Sequence, residues 1–203
     1  RRGMLLTINF VVLFVLNLPN TLTLSRIVAI PLIVAAFYLP PVMASWTTFA
    51  LFAYASLTDY LDGMLARRWG QATDFGRFLD PIADKLLVGA VLIMMIATGA
   101  ISGSGVIACL LILLRELLVS GLREFLAGKQ IQVPVSRVAK WKTGVQLVAI
   151  ALLLISGVAP QIATIGAVLL WIAAVLTMYT GYEYLRGGIV HMTEPGANDP
   201  AAE

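Results

Sequence analysis

An all-α protein that crosses a membrane several times is what these 203 residues predict. Three observations carry that expectation. Hydrophobic residues make up 60% of the chain and charged ones 12%, a balance at odds with a soluble domain. The apolar residues fall into a series of runs, and a helix needs roughly 20 of them to cross a bilayer. The charges, 14 basic and 11 acidic, collect at the ends, in alternate connectors and in the helix ends that adjoin them, and the other connectors carry none.

Taken in order, residues 4–16 are an apolar run behind Arg1 and Arg2 that superficially resembles a signal peptide. Asn17-Leu18-Pro19-Asn20 follows without a small-residue cleavage site, and another hydrophobic segment begins at once. Residues 1–19 are therefore expected to be an N-terminal interfacial segment. A first span covers residues 21–39, with an N-cap in Asn20-Thr21-Leu22-Thr23 and Arg26 one turn inside. Arg26 either snorkels to the interface or contributes to a phosphate site. The second span starts near Trp46, an aromatic suited to the interface, and runs to Arg67. Residues 68–79 read as a polar connector. A third span covers 80–98, so its carboxylates open a helix whose dipole favours negative charge there.

The glycine-rich turn 99–105 leads to a fourth span over 106–125, which carries Arg115, Glu116 and Arg123 in its second half. A connector with Lys129 and Pro134 precedes Ser136-Arg137-Val138-Ala139-Lys140-Trp141-Lys142-Thr143. A fifth span ends near 158 and a sixth covers 161–185. Residues 187–203 form a short polar tail that reads as disordered, with His191 solvated in it. Cys109 is the only cysteine, so no intrachain disulfide forms, and its apolar setting marks it as a packing residue. Residues 20–186 make one six-helix unit.

Six spans place both termini on one side. The connectors near 40–45, 99–105 and 157–161 contain no Lys, Arg, Asp or Glu. The basic side is cytoplasmic by the positive-inside rule.

Within this apolar chain, Asp59, Asp62, Asp80 and Asp84 stand out, because a charge beside membrane-embedded sequence costs several kcal/mol and marks function by default. Asp59 and Asp62 are three residues apart, Asp80 and Asp84 four, so each pair shares a helix face. Two such helices facing each other would cage a hard divalent cation. Gly63 and Ala66 let a ligand approach the backbone, and Arg67 offers a planar fork suited to phosphate. An ion-pair network with Arg67, Arg77 and Lys85 is the structural alternative, and a cation pathway the transport alternative. The charge-free outer half argues against transport. Metal-assisted phosphoryl transfer on a group at headgroup depth remains favoured.

Asp59-x-x-Asp62-Gly63-x-x-Ala66-Arg67, eight residues, then Gly76-x-x-x-Asp80-x-x-x-Asp84 resembles the signature of the CDP-alcohol phosphatidyltransferases at every fixed position. The resemblance implies six transmembrane helices, a homodimer in a bacterial cytoplasmic membrane, and attack of an alcohol on the phosphate of a CDP-linked lipid with release of CMP. It implies that Asp59, Asp62, Asp80 and Asp84 ligate Mg²⁺ or Mn²⁺, two ions in all, with Asp80 and Asp84 catalytic and Asp84 the general base. Asp59, Gly63, Ala66, Arg67 and Gly76 would line the CDP pocket.

The segments Asn20-Thr-Leu-Thr-Leu-Ser-Arg26, Arg115-Glu116 with Arg123, and Lys140-Trp-Lys142-Thr143 with Gln146 resemble the branch of the family whose acceptor is a glycerol phosphate. The implied reaction joins CDP-diacylglycerol to sn-glycerol 3-phosphate. An acceptor that is itself a phosphate monoester needs several cations, and Arg115, Lys140, Arg123, Arg137, Lys142 and Arg26 are the candidates. The alternative for Arg115 is a pair with Glu116, and for the lysines an anchor at anionic headgroups, which is the reading preferred for Lys129. Ala139 departs from the glycine that many relatives place before the lysine. Inositol phosphate and phosphatidylglycerol are the competing acceptors. A membrane lipid, and no nucleic acid, is the expected partner.

Overall fold

A computed structural model describes residues 18–69, 74–129 and 137–193 of the chain. Among these residues there is no strand. Six α-helices follow in order: α1 (Leu18–Ala36), α2 (Pro41–Trp69), α3 (Asp74–Ala97), α4 (Ser104–Gly128), α5 (Arg137–Ile155) and α6 (Ala163–Thr193). A 3₁₀ turn at Pro160–Ile162 leads into α6. The all-helical expectation holds, but several helices outrun the apolar segments that announced them. Hydropathy marks where a helix meets the bilayer edge, whereas backbone hydrogen bonding sets where it ends.

Three consequences matter. Helix α1 begins at Leu18, where Pro19 suits a first turn whose N–H groups have no partner within the helix. The expected N-cap around Asn20–Thr23 therefore falls inside the helix. Helix α3 begins at Asp74, so residues 74–79 of the expected connector are helical and Asp80 lies in the second turn rather than at the helix start. Helix α6 continues to Thr193, so the tail expected to be disordered from 187 is helical over its first part. Residues 1–17, which include most of the expected interfacial segment, and residues 194–203 lie outside the described residues.

The chain forms two compact units. The first holds α1, α2, α3 and the C-terminal turn of α5, and α1 packs against both α2 and α3. Its core is a seam of Ala29, Ile33 and Ala36 from α1, Phe52 and Ala55 from α2, and Ala83, Leu87, Val91 and Met95 from α3. The α3 members recur every fourth residue, which keeps them on one face. Small side chains in the seam let helix backbones approach closely, as in bilayers. The second unit holds α4, most of α5, and α6. Ala108, Cys109, Ile112, Val119 and Leu126 of α4, Ala149 and Ile150 of α5, and Leu170, Ala173 and Ala174 of α6 are its buried apolar residues.

Large apolar side chains are exposed beside these apolar cores, and some polar ones are buried. Thr23, Arg26, Thr48, Thr58, Lys142, Gln146, Thr177 and Thr180 are buried, while Val28, Leu32, Leu110, Leu114, Leu117, Val168 and Val175 are exposed. An exposed apolar surface suits lipid as the surrounding solvent. Two segments, Ser104–Gly128 and Pro160–Gly188, are long and apolar enough to cross a membrane, and Thr21–Ala36 and Trp141–Ile155 are shorter apolar helices.

Candidate active site

Helix α2 has 29 residues, about 43 Å at 1.5 Å per residue, against roughly 30 Å of hydrocarbon. Asp59 lies about 27 Å along it from Pro41, and Asp80 about 26 Å from the Ala97 end of α3. Both carboxylates therefore stand about one bilayer-core thickness from the far ends of their helices.

Helix α1 touches both. Thr23 donates its hydroxyl hydrogen bond to Asp80 Oδ1 at 2.6 Å. One turn on, Arg26 Nη1 lies 2.5 Å from Asp59 Oδ1. Residues three apart share a helix face, so a single turn of α1 holds one carboxylate from α2 and one from α3. Asp59 and Asp80 are in turn close enough for their charges to repel. The arrangement answers the question that Arg26 posed: it is buried against a carboxylate, not extended along the helix to the interface. Asp84 lies one turn beyond Asp80, on the same face of α3. Lys85, a candidate for a structural ion-pair network, instead donates to the Pro81 carbonyl one turn back at 2.9 Å.

The remaining sequence candidates divide. Asp62, Gly63, Ala66 and Arg67 lie within α2, and Arg77 within α3, but their side chains are outside the described residues. Gly76 is buried in the first turn of α3. Among the described residues no three His, Cys, Asp or Glu side chains form a metal-ligand group. Asp59, Asp80 and Asp84 are among those residues, and the side chain of Asp62 is not. The donor chemistry of the described part suits a hard divalent cation: two mutually repelling carboxylates offer oxygen ligands and an excess of negative charge that Arg26 offsets only by one.

In the second unit the basic candidates are tied into a cluster. Arg115 Nη1 pairs with Glu116 Oε1 at 3.1 Å, and Nη2 donates to Thr180 Oγ1 at 2.9 Å. Lys142 Nζ pairs with the same Glu116 oxygen. The Arg115 stem runs across Gly181 so closely that a Cβ there would lie 2.8 Å from Cγ. Arg123 stacks on Tyr184, 5.7 Å from the ring centroid, and Lys129 on Phe125 at 5.0 Å. The side chains of Arg137 and Lys140 are outside the described residues. The Arg115–Glu116 pair is the alternative weighed against phosphate binding by Arg115, whereas Lys142 on the same carboxylate and the parts played by Thr180, Gly181 and Thr23 are not expected from the sequence. A buried threonine and a glycine facing an arginine carry no spacing signal of their own.

A profile of the CDP-alcohol phosphatidyltransferase family matches residues 16–179, which takes in all four aspartates. The chain belongs to that family. Among the CDP-alcohol phosphatidyltransferases it is 49% identical over 173 residues to the CDP-diacylglycerol–glycerol-3-phosphate 3-phosphatidyltransferase of Rickettsia bellii, covering 84% of this chain and 94% of that one. It is 42% identical over 183 residues to the enzyme of the same name from Pectobacterium atrosepticum, covering 88% and 98%. In fold it is similar to Mycobacterium tuberculosis phosphatidylinositol phosphate synthase, solved with CDP-DAG bound, with a TM-score of 0.61 and 24% identity over 97% of this chain and 98% of that one. The same synthase in complex with manganese and citrate gives the same TM-score over 97% and 92%.

Proposed function

We propose that this chain is a membrane-embedded enzyme that transfers the phosphatidyl group of CDP-diacylglycerol to sn-glycerol 3-phosphate, giving phosphatidylglycerophosphate and CMP. The observation that carries the acceptor is the likeness to relatives of that name along 94% and 98% of their own lengths. The eight-residue signature from Asp59 to Asp84 supports the reaction type.

Asp59, Asp62, Asp80 and Asp84 would hold divalent cations, Mg²⁺ or Mn²⁺ and two in number. When bound, these would neutralise charge on the lipid-linked phosphate. Gly63, Ala66 and Gly76 leave room for CDP against the helix backbones, and Arg67 pairs with its phosphate oxygens. Asp84 accepts the proton of the acceptor hydroxyl. The freed oxygen attacks the phosphorus that bears diacylglycerol, the bond from that phosphorus to the CMP oxygen breaks, and CMP leaves. Arg115 and Lys142 answer the acceptor's own phosphate, along with Lys140, Arg123 and Arg137. Glu116 holds the first two together before the acceptor arrives. Arg26 belongs to the carboxylate centre through Asp59.

The proposed setting is a bacterial cytoplasmic membrane, crossed six times, with the carboxylates and both termini on the cytoplasmic side. The charge-free connectors near 40–45, 99–105 and 157–161 support that orientation. On this topology the aspartates lie at lipid-phosphate depth, where a soluble acceptor and a membrane donor meet. The enzyme works as a homodimer.

The test is an acceptor screen on purified protein in detergent with CDP-diacylglycerol and Mg²⁺ or Mn²⁺, reading CMP release and lipid product mass. CMP release with sn-glycerol 3-phosphate alone is expected. Turnover with inositol phosphate or phosphatidylglycerol in its place would reassign the acceptor, and CMP release with none of them would remove the reaction.

A further inference from the structure

We propose that Thr23 is a positioning residue for the divalent-cation site, aiming the Asp80 carboxylate from α1. The inference rests on the reading of Asp80 as a cation ligand and extends it to a side chain outside the aspartate signature.

Its basis is where this hydroxyl goes. The buried Thr48, Thr58 and Thr180 each bond a carbonyl of their own helix within four residues, the common fate of a threonine in an apolar helix. Thr23 is just as buried, at 1% exposure, and it donates to Asp80 across 57 positions of sequence at 2.6 Å. A short bond to a carboxylate is a strong, directional one. It leaves Oδ2 and one lone pair of Oδ1 for a cation and holds the carboxylate in one rotamer beforehand. A ligand that is already oriented loses less freedom on binding, which is why hydrogen-bond partners of metal ligands tune metal affinity. Arg26, three residues along the same face, steadies Asp59 in the same way, so the turn from Thr23 to Arg26 registers both carboxylate helices at once.

Thr23→Val exchanges the hydroxyl for a methyl at nearly constant volume, and Thr23→Ser keeps the hydroxyl while giving up the methyl. The measurement is Mn²⁺ binding to the full chain in detergent, followed by electron paramagnetic resonance of the free ion, without lipid or acceptor. Thr23→Val is expected to weaken Mn²⁺ binding about tenfold, and Thr23→Ser to stay within about twofold of the parent. In turnover, the Mn²⁺ concentration at half-maximal rate moves by the same factor in Thr23→Val, and the rate at saturating Mn²⁺ is preserved. Melting temperatures confirm that both variants are folded. Parent-like Mn²⁺ affinity in Thr23→Val, with binding still abolished by Asp80→Asn, overturns the inference and leaves the cation site standing. Thr23→Ser as weak as Thr23→Val assigns the effect to packing and also overturns it. Mn²⁺ binding that ignores Asp80→Asn removes the cation reading, and the inference with it.

Discussion

Arg26 is fully buried and Asp59 is not: the guanidinium side chain has 0% of its surface exposed, against 42% for the carboxylate it pairs with at 2.5 Å. That asymmetry predicts unequal costs for breaking the pair. Asp59→Asn takes a charged partner from a cation that water cannot reach, a loss of about 3 kcal/mol. Arg26→Gln leaves behind a carboxylate that water can partly solvate, so its cost is about 1 kcal/mol. Thermal unfolding in detergent should show Asp59→Asn melting clearly below Arg26→Gln. Equal shifts, or the reverse order, would mean that the pair does not stabilise the fold in this way.

Asp80→Asn separates chemistry from folding at the neighbouring carboxylate. Asparagine keeps an oxygen that accepts the Thr23 hydrogen bond but loses the charge that binds a cation. Turnover should fall by about 10³-fold with the melting temperature within a few degrees of the parent. A folded variant with near-normal CMP release would contradict the assignment of Asp80 to the reacting centre.

Chelation tests the same centre without mutation. Ethylenediaminetetraacetate should stop CMP release, and added Mg²⁺ or Mn²⁺ should restore it, because both favour carboxylate oxygens. Bound divalent ion should also raise the melting temperature by mass action, as it relieves the repulsion between Asp59 and Asp80. Turnover that persists through exhaustive chelation would exclude a cation from the reaction.

The aspartates were legible in the sequence because charge in apolar surroundings is conspicuous and helical spacing says which charges share a face. The helical class followed from the same apolar runs. What Arg26 and Thr23 do was not legible. Arg26 lies 33 positions before Asp59, and Thr23 lies 57 before Asp80, so their roles depend on α1 packing against both α2 and α3. Periodicity within one helix carries no such information. The start of α3 was misplaced for a related reason: residues 74–79 are too polar for a span, yet nothing in them prevents a helix. Membrane boundary and helix boundary are different physical events, and hydropathy reports only the first.

Gly181 offers the sharpest probe of the basic cluster. A Cβ at that position would lie 2.8 Å from Arg115 Cγ and 3.1 Å from Nε, so Gly181→Ala must push the arginine stem aside. The guanidinium is held at its far end by Thr180 and Glu116, so the stem cannot shift without loosening one of those bonds. If Arg115 binds the acceptor's phosphate, the KM for sn-glycerol 3-phosphate should rise about tenfold, the loss of roughly one charge-assisted hydrogen bond. The KM for CDP-diacylglycerol should hardly change, since the side chain that a Cβ at Gly181 meets is Arg115. Steady-state kinetics with each substrate varied in turn distinguishes the outcomes. A rise confined to the CDP-lipid KM, or an unchanged acceptor KM in a folded variant, would return Arg115 to a purely structural pair with Glu116.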